Sequence, residues 1–452
     1  MRKTLYIVVA LVTLFWLSGV SGVFAQSGTE RPFITKWQGE AGKELKIPIV
    51  GTYKMVIKDG SGNEKVNETV TVADAEHPYI FTPTEDGTYT VEAGPEGVKY
   101  MRMTIPLTSN DKLLDVVQFG TVKWESMEEM FQECKNMTFA AGIDTPDLSE
   151  VTSMKFMFLN CRVFNQPLGN WKVDNVTNME KMFFGCSTFN QPLDNWKVDN
   201  VTNMDEMFSG CSTFNQPLGN WKVDNVTNMK WMFFGCRSFN QPLDNWKVSN
   251  VTNMERMFFG CSTFNQPLGN WNVSKVTKMY EMFMDCSTFN QPIGNWNVSK
   301  VTNMGKMFFG CSTFNQPLDN WNVSGVENMG EMFSGCSAFN QPLNNWDVSN
   351  VTKMNRMFIG CSTFNQPLGS WKIKTAVGGL DETAMNSSNY SKTLVGWAAQ
   401  TDIAKNLYFG FRVNELIYND EGKKARQKLI DKGWTFLGAG FNPQMQPFRP
   451  WY

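Results

Sequence analysis

A block of 25 residues recurs with almost no drift through the middle of this chain. Phe164–Thr188 reads FNQPLGNWKVDNVTNMEKMFFGCST, and Phe189–Thr213 reads FNQPLDNWKVDNVTNMDEMFSGCST. The same step places tryptophans from Trp171 to Trp371 and cysteines from Cys161 to Cys361. A fixed period of this length marks a repeat architecture. One unit cannot enclose its own Met, Phe, Cys, Leu and Trp side chains. Stacked units bury them as continuous columns, with stability close to a sum of nearest-neighbour interfaces. An irregular unit with Met130, Phe131 and Cys134 precedes the regular ones, as suits a terminal unit that meets another module.

Within one unit, Thr177 is a good N-cap and Glu180, three residues on, completes a capping box. Met179, Met182 and Phe183 fall at i, i+3 and i+4, one apolar face of a short helix, and Gly185 ends it. Ser187–Gln191 is expected to be extended, with Pro192 limiting the strand. Asn190, Gln191 and their copies Asn215 and Gln216 are placed to form ladders that satisfy turn backbone groups. A strand stacked on a strand advances ~4.8 Å, so ten coils predict a rod of about 45 Å.

The pattern Met-Phe-x-x-Cys-x-x-Phe-Asn-Gln-Pro-Leu-x-Asn-Trp-x-Val-x-x-Val-x-x-Met, over residues ~120–375, resembles the BspA-like family of bacterial leucine-rich-repeat surface proteins. The family more often has Asp-Ile where this chain has Pro167-Leu168. The resemblance implies a leucine-rich-repeat-like solenoid, one short strand and one short helix per coil. It also implies a secreted or surface protein that adheres to host or partner-cell proteins.

Composition narrows the chemistry. Lys plus Arg is 41 against 43 Asp plus Glu, without the basic excess that nucleic-acid binding needs. His77 is the single histidine, which removes His-based metal clusters and makes Ser-His-Asp or Cys-His catalysis improbable. The ten cysteines in an exported chain would suggest disulfides. Their shared slot instead reads as a column of small buried thiols, with adjacent-coil disulfides as the alternative. The Met column reads as core filler. Asp174, Asp199 and Asp224 share a slot with Ser249 and Ser274, so a polar turn explains them better than a calcium ladder. The sequon at Asn175 and its copies falls out of the same turn chemistry. No cofactor or metal is expected.

The flanks read differently. Arg2 and Lys3, an apolar run from Leu5 to Leu17 and Val23-Phe24-Ala25 form a secretory signal peptide over 1–25, cleaved after Ala25. The run is short of the ~20 residues a spanning helix needs, so membrane contact is expected only through this peptide. Residues 26–110 read as a β-sandwich-like module. Tyr53, Met55 and Ile57 alternate before the hairpin signal Asp59-Gly60, and His77 falls in a solvated loop. Gly87–Val91 resembles the closing strand of immunoglobulin-like modules of the polycystic-kidney-disease type, although Ile57–Gly60 stands where their Trp-Gly-Asp-Gly turn would be. The solenoid spans 111–375 and an α/β cap 376–440. In the cap, Tyr390, Leu394 and Trp397 share a helix face, Leu407, Phe409, Phe411 and Val413 alternate as a strand, and Asn419 caps a second helix. The cap would cover the open end of the solenoid. An irregular tail, 441–452, follows.

Function is sought where units differ. Glu180-Lys181, Asp205-Glu206, Lys230-Trp231, Glu255-Arg256 and Tyr280-Glu281 fill one slot pair on the expected outer face of the helix. Trp231 and Tyr280 are the candidate anchors of a partner-binding patch. Asn190, Gln191, Asn215 and Gln216 mark a periodic extended face suited to a large or repetitive ligand. The expectation is a non-enzymatic, exported adhesin for extracellular host or bacterial proteins or glycans. The alternatives are a self-assembling surface component and a polysaccharide hydrolase. The hydrolase would need two carboxylates about 5–10 Å apart in a cleft, and Asp205-Glu206 is the only adjacent acidic pair in that slot of the regular units.

Overall fold

The computed structural model describes residues 30–104, 108–410 and 416–437. The expected signal peptide and tail lie outside the described residues, as do Ile105, Phe411 and Val413. Strand is the predominant regular structure. The two α-helices among the described residues both follow the repeats.

Nine strands come first: β1 (Phe33–Gly39), β2 (Leu45–Ile47), β3 (Ile49–Lys58), β4 (Glu64–Val72), β5 (Tyr79–Phe81), β6 (Gly87–Ala93), β7 (Val98–Met101), β8 (Leu113–Gln118) and β9 (Thr138–Phe139). One sheet runs β4-β3-β6-β1-β8-β9 with β7 also on β3, and β2 pairs β5 separately. The β3–β4 hairpin turns where Asp59-Gly60 predicts, with the Asp59 carboxylate accepting the N–H groups of Ser61 and Asn63 at 2.9 Å. Tyr53, Met55 and Ile57 point into the core with Trp37, Tyr89 and Val91. The sheet continues past residue 110. Strand β8 pairs β1, and β9, contributed by the irregular first unit, pairs β8 in parallel. Sheet and repeats therefore share one hydrophobic core, joined where Phe33 meets Trp124 edge-on at 5.0 Å.

The chain is a repeat protein, and its units meet in register. Asn178 bridges Asn203 in parallel, Asn203 bridges Asn228, and so on to Lys353. Met, Phe, Cys, Leu (Ile293 in one unit) and Trp of every regular unit are buried in common columns. Trp221 and Trp246 stack with parallel planes, ring centroids 6.5 Å apart, and Phe183 stacks on Phe208 at 5.6 Å. Polar atoms in the tryptophan and cysteine columns of the regular units find partners in the neighbouring coil. Trp196 Nε1 donates to the Leu168 carbonyl at 2.9 Å, and Cys186 Sγ to that of Phe158 at 2.9 Å. All ten cysteines are free and buried.

The local conformation differs from the expectation in two ways. No helix forms over Thr177–Phe183 or its copies. The N–H groups of Met179, Lys181, Phe183 and Gly185 donate to carbonyls of the next coil, while those of Met182, Phe184 and Cys186 close turns within their own. A helix would spend all of them internally, and so short a helix is marginal in water. Lys181 is left-handed (φ 52°), as is its equivalent in every unit. The capping box is absent too. Thr177 Oγ1 donates to the Thr152 carbonyl, and Glu180 pairs with Lys155 at 3.1 Å. The second difference is that Ser187–Gln191 is not a strand. The parallel bridge lies in the Asn178 slot instead. The turn run keeps the inward direction of Met179, Met182 and Phe183, because i, i+3 and i+4 also share a face there.

After the last unit come α1 (Ser387–Ala399), β10 (Tyr408–Gly410), α2 (Asp420–Asp431) and β11 (Thr435–Leu437), with β10 and β11 parallel. Tyr390, Leu394 and Trp397 face inward on α1. Asn419 caps α2 by accepting the Gly422 N–H. Helix α1 sits on the final coil. Asn386 N and Asn389 Nδ2 both donate to Asn365 Oδ1, and Thr393 Oγ1 accepts the Leu368 N–H at 2.9 Å.

Candidate functional site

The variable slot pair forms two adjacent columns, one running through Glu180, Asp205, Lys230, Glu255 and Tyr280 and the other through Lys181, Glu206, Trp231, Arg256, Glu281, Lys306, Glu331 and Arg356. These side chains are mostly half-buried, not the fully solvated helix face expected. The second column is left-handed throughout (φ 52–57° over these residues) although none of its members is glycine. A left-handed residue with a Cβ costs roughly 1–2 kcal/mol. Contacts between coils offset part of that cost: Lys181 meets Glu206 at 3.6 Å, and Glu281 lies between Arg256 and Lys306.

Trp231 interrupts this ladder of charges. Its ring has Arg256 over it at 4.6 Å and Lys230 at 5.3 Å, and it stacks on Phe234 at 5.0 Å. Phe234 stacks in turn on Phe259 at 4.6 Å. The guanidinium of Arg256 also lies 5.4 Å from the Tyr280 ring and donates through Nε to Glu281. The two aromatics singled out from sequence are thus joined by an arginine that was not. The signal that could have found it is the slot itself, since Trp231, Arg256 and Glu281 stand 25 residues apart.

The cluster carries unspent polar groups. The Trp231 indole N–H is buried without a hydrogen-bond partner, a cost that a side chain kept only for packing would shed. Burial, with help from Glu281, pushes the Tyr280 hydroxyl up to about 12. Next to it, Asp285 occupies the slot that is glycine at 185, 210, 235, 260, 310, 335 and 360, and it keeps the left-handed backbone (φ 60°). Burial and the Glu281 charge push its carboxyl upward. The neighbouring cation Lys306 pairs with Glu281 instead. Half-buried Phe234, Phe259, Met284 and Phe309 extend the patch as a stripe that ends at buried Ser209 and Ser334.

The other sequence candidates have a different role. Asn190 Oδ1 accepts from Asn215 N at 2.9 Å and Gln216 Nε2 at 3.1 Å, while Asn190 N and Gln191 Nε2 donate to Asn165. Asn215 repeats the arrangement one coil on. Their amides build the stack. Asp205 lies in the first column with one carboxylate oxygen buried and unpartnered. Burial, then Glu206 and Glu180, push it up to about 6 against the pull of Lys230 and Lys181. A shallow groove of about 350 Å³ at Gly269, Pro292, Gly294 and Pro317 holds no convergent charged set. His77 is exposed and pairs with Asp74.

The profile of a family described as "Mycoplasma protein of unknown function, DUF285" matches residues 125–246, 217–305 and 279–397, together more than half of the chain. The chain belongs to the DUF285 family. The second of the three DUF285 matches contains Trp231, Arg256, Tyr280, Glu281 and Asp285 together. No curated protein and no solved structure gave a match.

Proposed function

We propose that this chain is an exported, BspA-like adhesin, a leucine-rich-repeat-type solenoid that binds extracellular proteins or glycans and catalyses nothing. One observation carries the reading. In the variable slot pair, Trp231, Arg256 and Tyr280 make a half-buried aromatic and cationic cluster that no other group of units repeats. Such side chains anchor interfaces, and a rigid stack of coils is a scaffold for a broad one. The solenoid reading is supported by one parallel bridge per 25-residue step and by unbroken asparagine and tryptophan columns. Self-assembly end to end is disfavoured by α1, which occupies the hydrogen-bonding groups of the last coil. The test is surface plasmon resonance of the chain against panels of extracellular-matrix proteins and of glycans. Saturable binding that weakens in Trp231→Ala is expected. Absence of saturable binding to every member of both panels would contradict the reading.

A further inference from the structure

The adhesin reading leaves the ligand class open between polypeptide and glycan, and the inference that follows rests on that reading. A sugar ring packs on the open face of an aromatic side chain. Here the faces are covered. The Trp231 ring is stacked by Phe234 and overlaid by Arg256 and Lys230. Phe234 lies between Trp231 and Phe259, within 18° of both rings. Tyr280 has Arg256 over it. Such stacks offer a ligand ring edges and the half-buried stripe of Phe259, Met284 and Phe309. Ring edges carry the positive end of the aromatic quadrupole and pack against acceptors and apolar groups, and methionine adapts to irregular apolar partners.

Charge supplies the second half. Arg256 and Lys306 both have Glu281 as a counter-ion. Asp285 is exposed, and among the described residues no cation pairs with it. It stands where seven other units have glycine, so the backbone gains nothing from an aspartate there, and its nearest charged influence is the like charge of Glu281. An exposed carboxylate that lies over Gly310 beside an apolar stripe, in a left-handed slot that glycine fits better, is complementary to a cationic group delivered by the ligand.

We infer that the face formed by Trp231, Phe259, Tyr280, Met284 and Asp285 binds a polypeptide segment that presents a lysine or arginine to Asp285 and apolar side chains to the stripe. Asp285 is the specificity-determining residue, and Trp231 and Tyr280 are the apolar anchors.

The test uses the full chain and two probes, a phage-displayed random dodecapeptide library and a glycan array. Enriched peptides should carry Lys or Arg next to apolar residues. Their affinity should fall at least tenfold in Asp285→Gly and in Trp231→Ala, and stay unchanged in Asp174→Asn, which removes an acid from a different column. Asp285→Gly restores the residue of the other units, so its thermal midpoint should hold or rise, and a loss of binding cannot be put down to misfolding. Peptides without basic bias, or binding indifferent to Asp285→Gly, would overturn the inference and leave the adhesin reading standing. Glycan binding lost in Trp231→Ala would do the same. No enrichment in either arm would overturn both.

Discussion

The Nδ2 group of Asn389, on the first cap helix, donates to Oδ1 of Asn365 at 3.1 Å, the bond that Gln366 Nε2 makes to Asn340 one coil earlier. The Asn386 N–H meanwhile takes the place of the next coil's asparagine N–H. Helix α1 therefore imitates the ladder of a further unit and closes it. Replacing Asn365 by Ala should strip the Asn386 N–H of its acceptor, leave the Asn389 amide only the Asn365 carbonyl, and cost about 1–2 kcal/mol. Amide exchange should quicken most in the last coil and α1. Uniform quickening along all coils would count against a localised closure.

The cysteine column makes a chemical prediction. Burial pushes the thiols well above their usual range, and each regular-unit Sγ donates to a phenylalanine carbonyl of the preceding unit. Thiolate is the reactive form. Ellman's reagent should therefore titrate none of the ten thiols in the native protein and all ten in guanidinium chloride. Fewer than ten under denaturing conditions would reveal disulfides.

Asp205 predicts a pH dependence. Its folded-state pKa, about 6, lies above that of an unfolded aspartate, so the native state binds the extra proton between about pH 4 and 6. Stability should rise as pH falls through 6 towards 4 and be lowest on this account above 6. Asp205→Asn should remove that slope and stabilise the protein at pH 7 by about 1 kcal/mol, after allowing for solvent screening of a half-exposed group. Urea melts at pH 4.5 and 7 check this, and an unchanged slope in the variant would assign it elsewhere.

Glu281 is buried and takes ion pairs from both Arg256 and Lys306. Glu281→Ala should destabilise the protein by roughly 2 kcal/mol, less than for a fully enclosed pair because both cations keep some solvent. It should also free Arg256 from its position between Trp231 and Tyr280. A change in ring-current-shifted Arg256 proton resonances reads the second effect.

The period, the buried columns and the elements of the cap are legible in the sequence because each is written in residue type at fixed spacing. Trp196 and Trp221 fall in one slot, and Asn419 precedes an apolar 3.6-residue pattern. The conformation of Thr177–Cys186 is not legible for a physical reason. Met179, Met182 and Phe183 satisfy a helix and a run of turns equally, and the left-handed residue that decides between them is Lys181 rather than a glycine. The choice is made by amides that pair across coils, a relation absent from any single unit. The candidate face shows the same division. Trp231 and Tyr280 announce themselves as aromatics in a variable slot. Arg256 acquires its role only once 25-residue neighbours are stacked, and Asp285 is conspicuous only against the glycines of the other units.

The stack and its binding face depend on equivalent residues lying over one another at a constant advance per coil. Thr152, Thr252 and Thr352 are exposed members of one column, four and eight units apart, and the buried native thiols should stay unlabelled. Spin labels on the pairs Thr152→Cys with Thr252→Cys and Thr152→Cys with Thr352→Cys, measured by double electron–electron resonance, test the stack directly. Backbone separations of about 19 and 38 Å, in the ratio of one to two, are predicted from ~4.8 Å per coil. Separations that do not scale with the number of intervening units would contradict the stacked repeat and the binding face built on it.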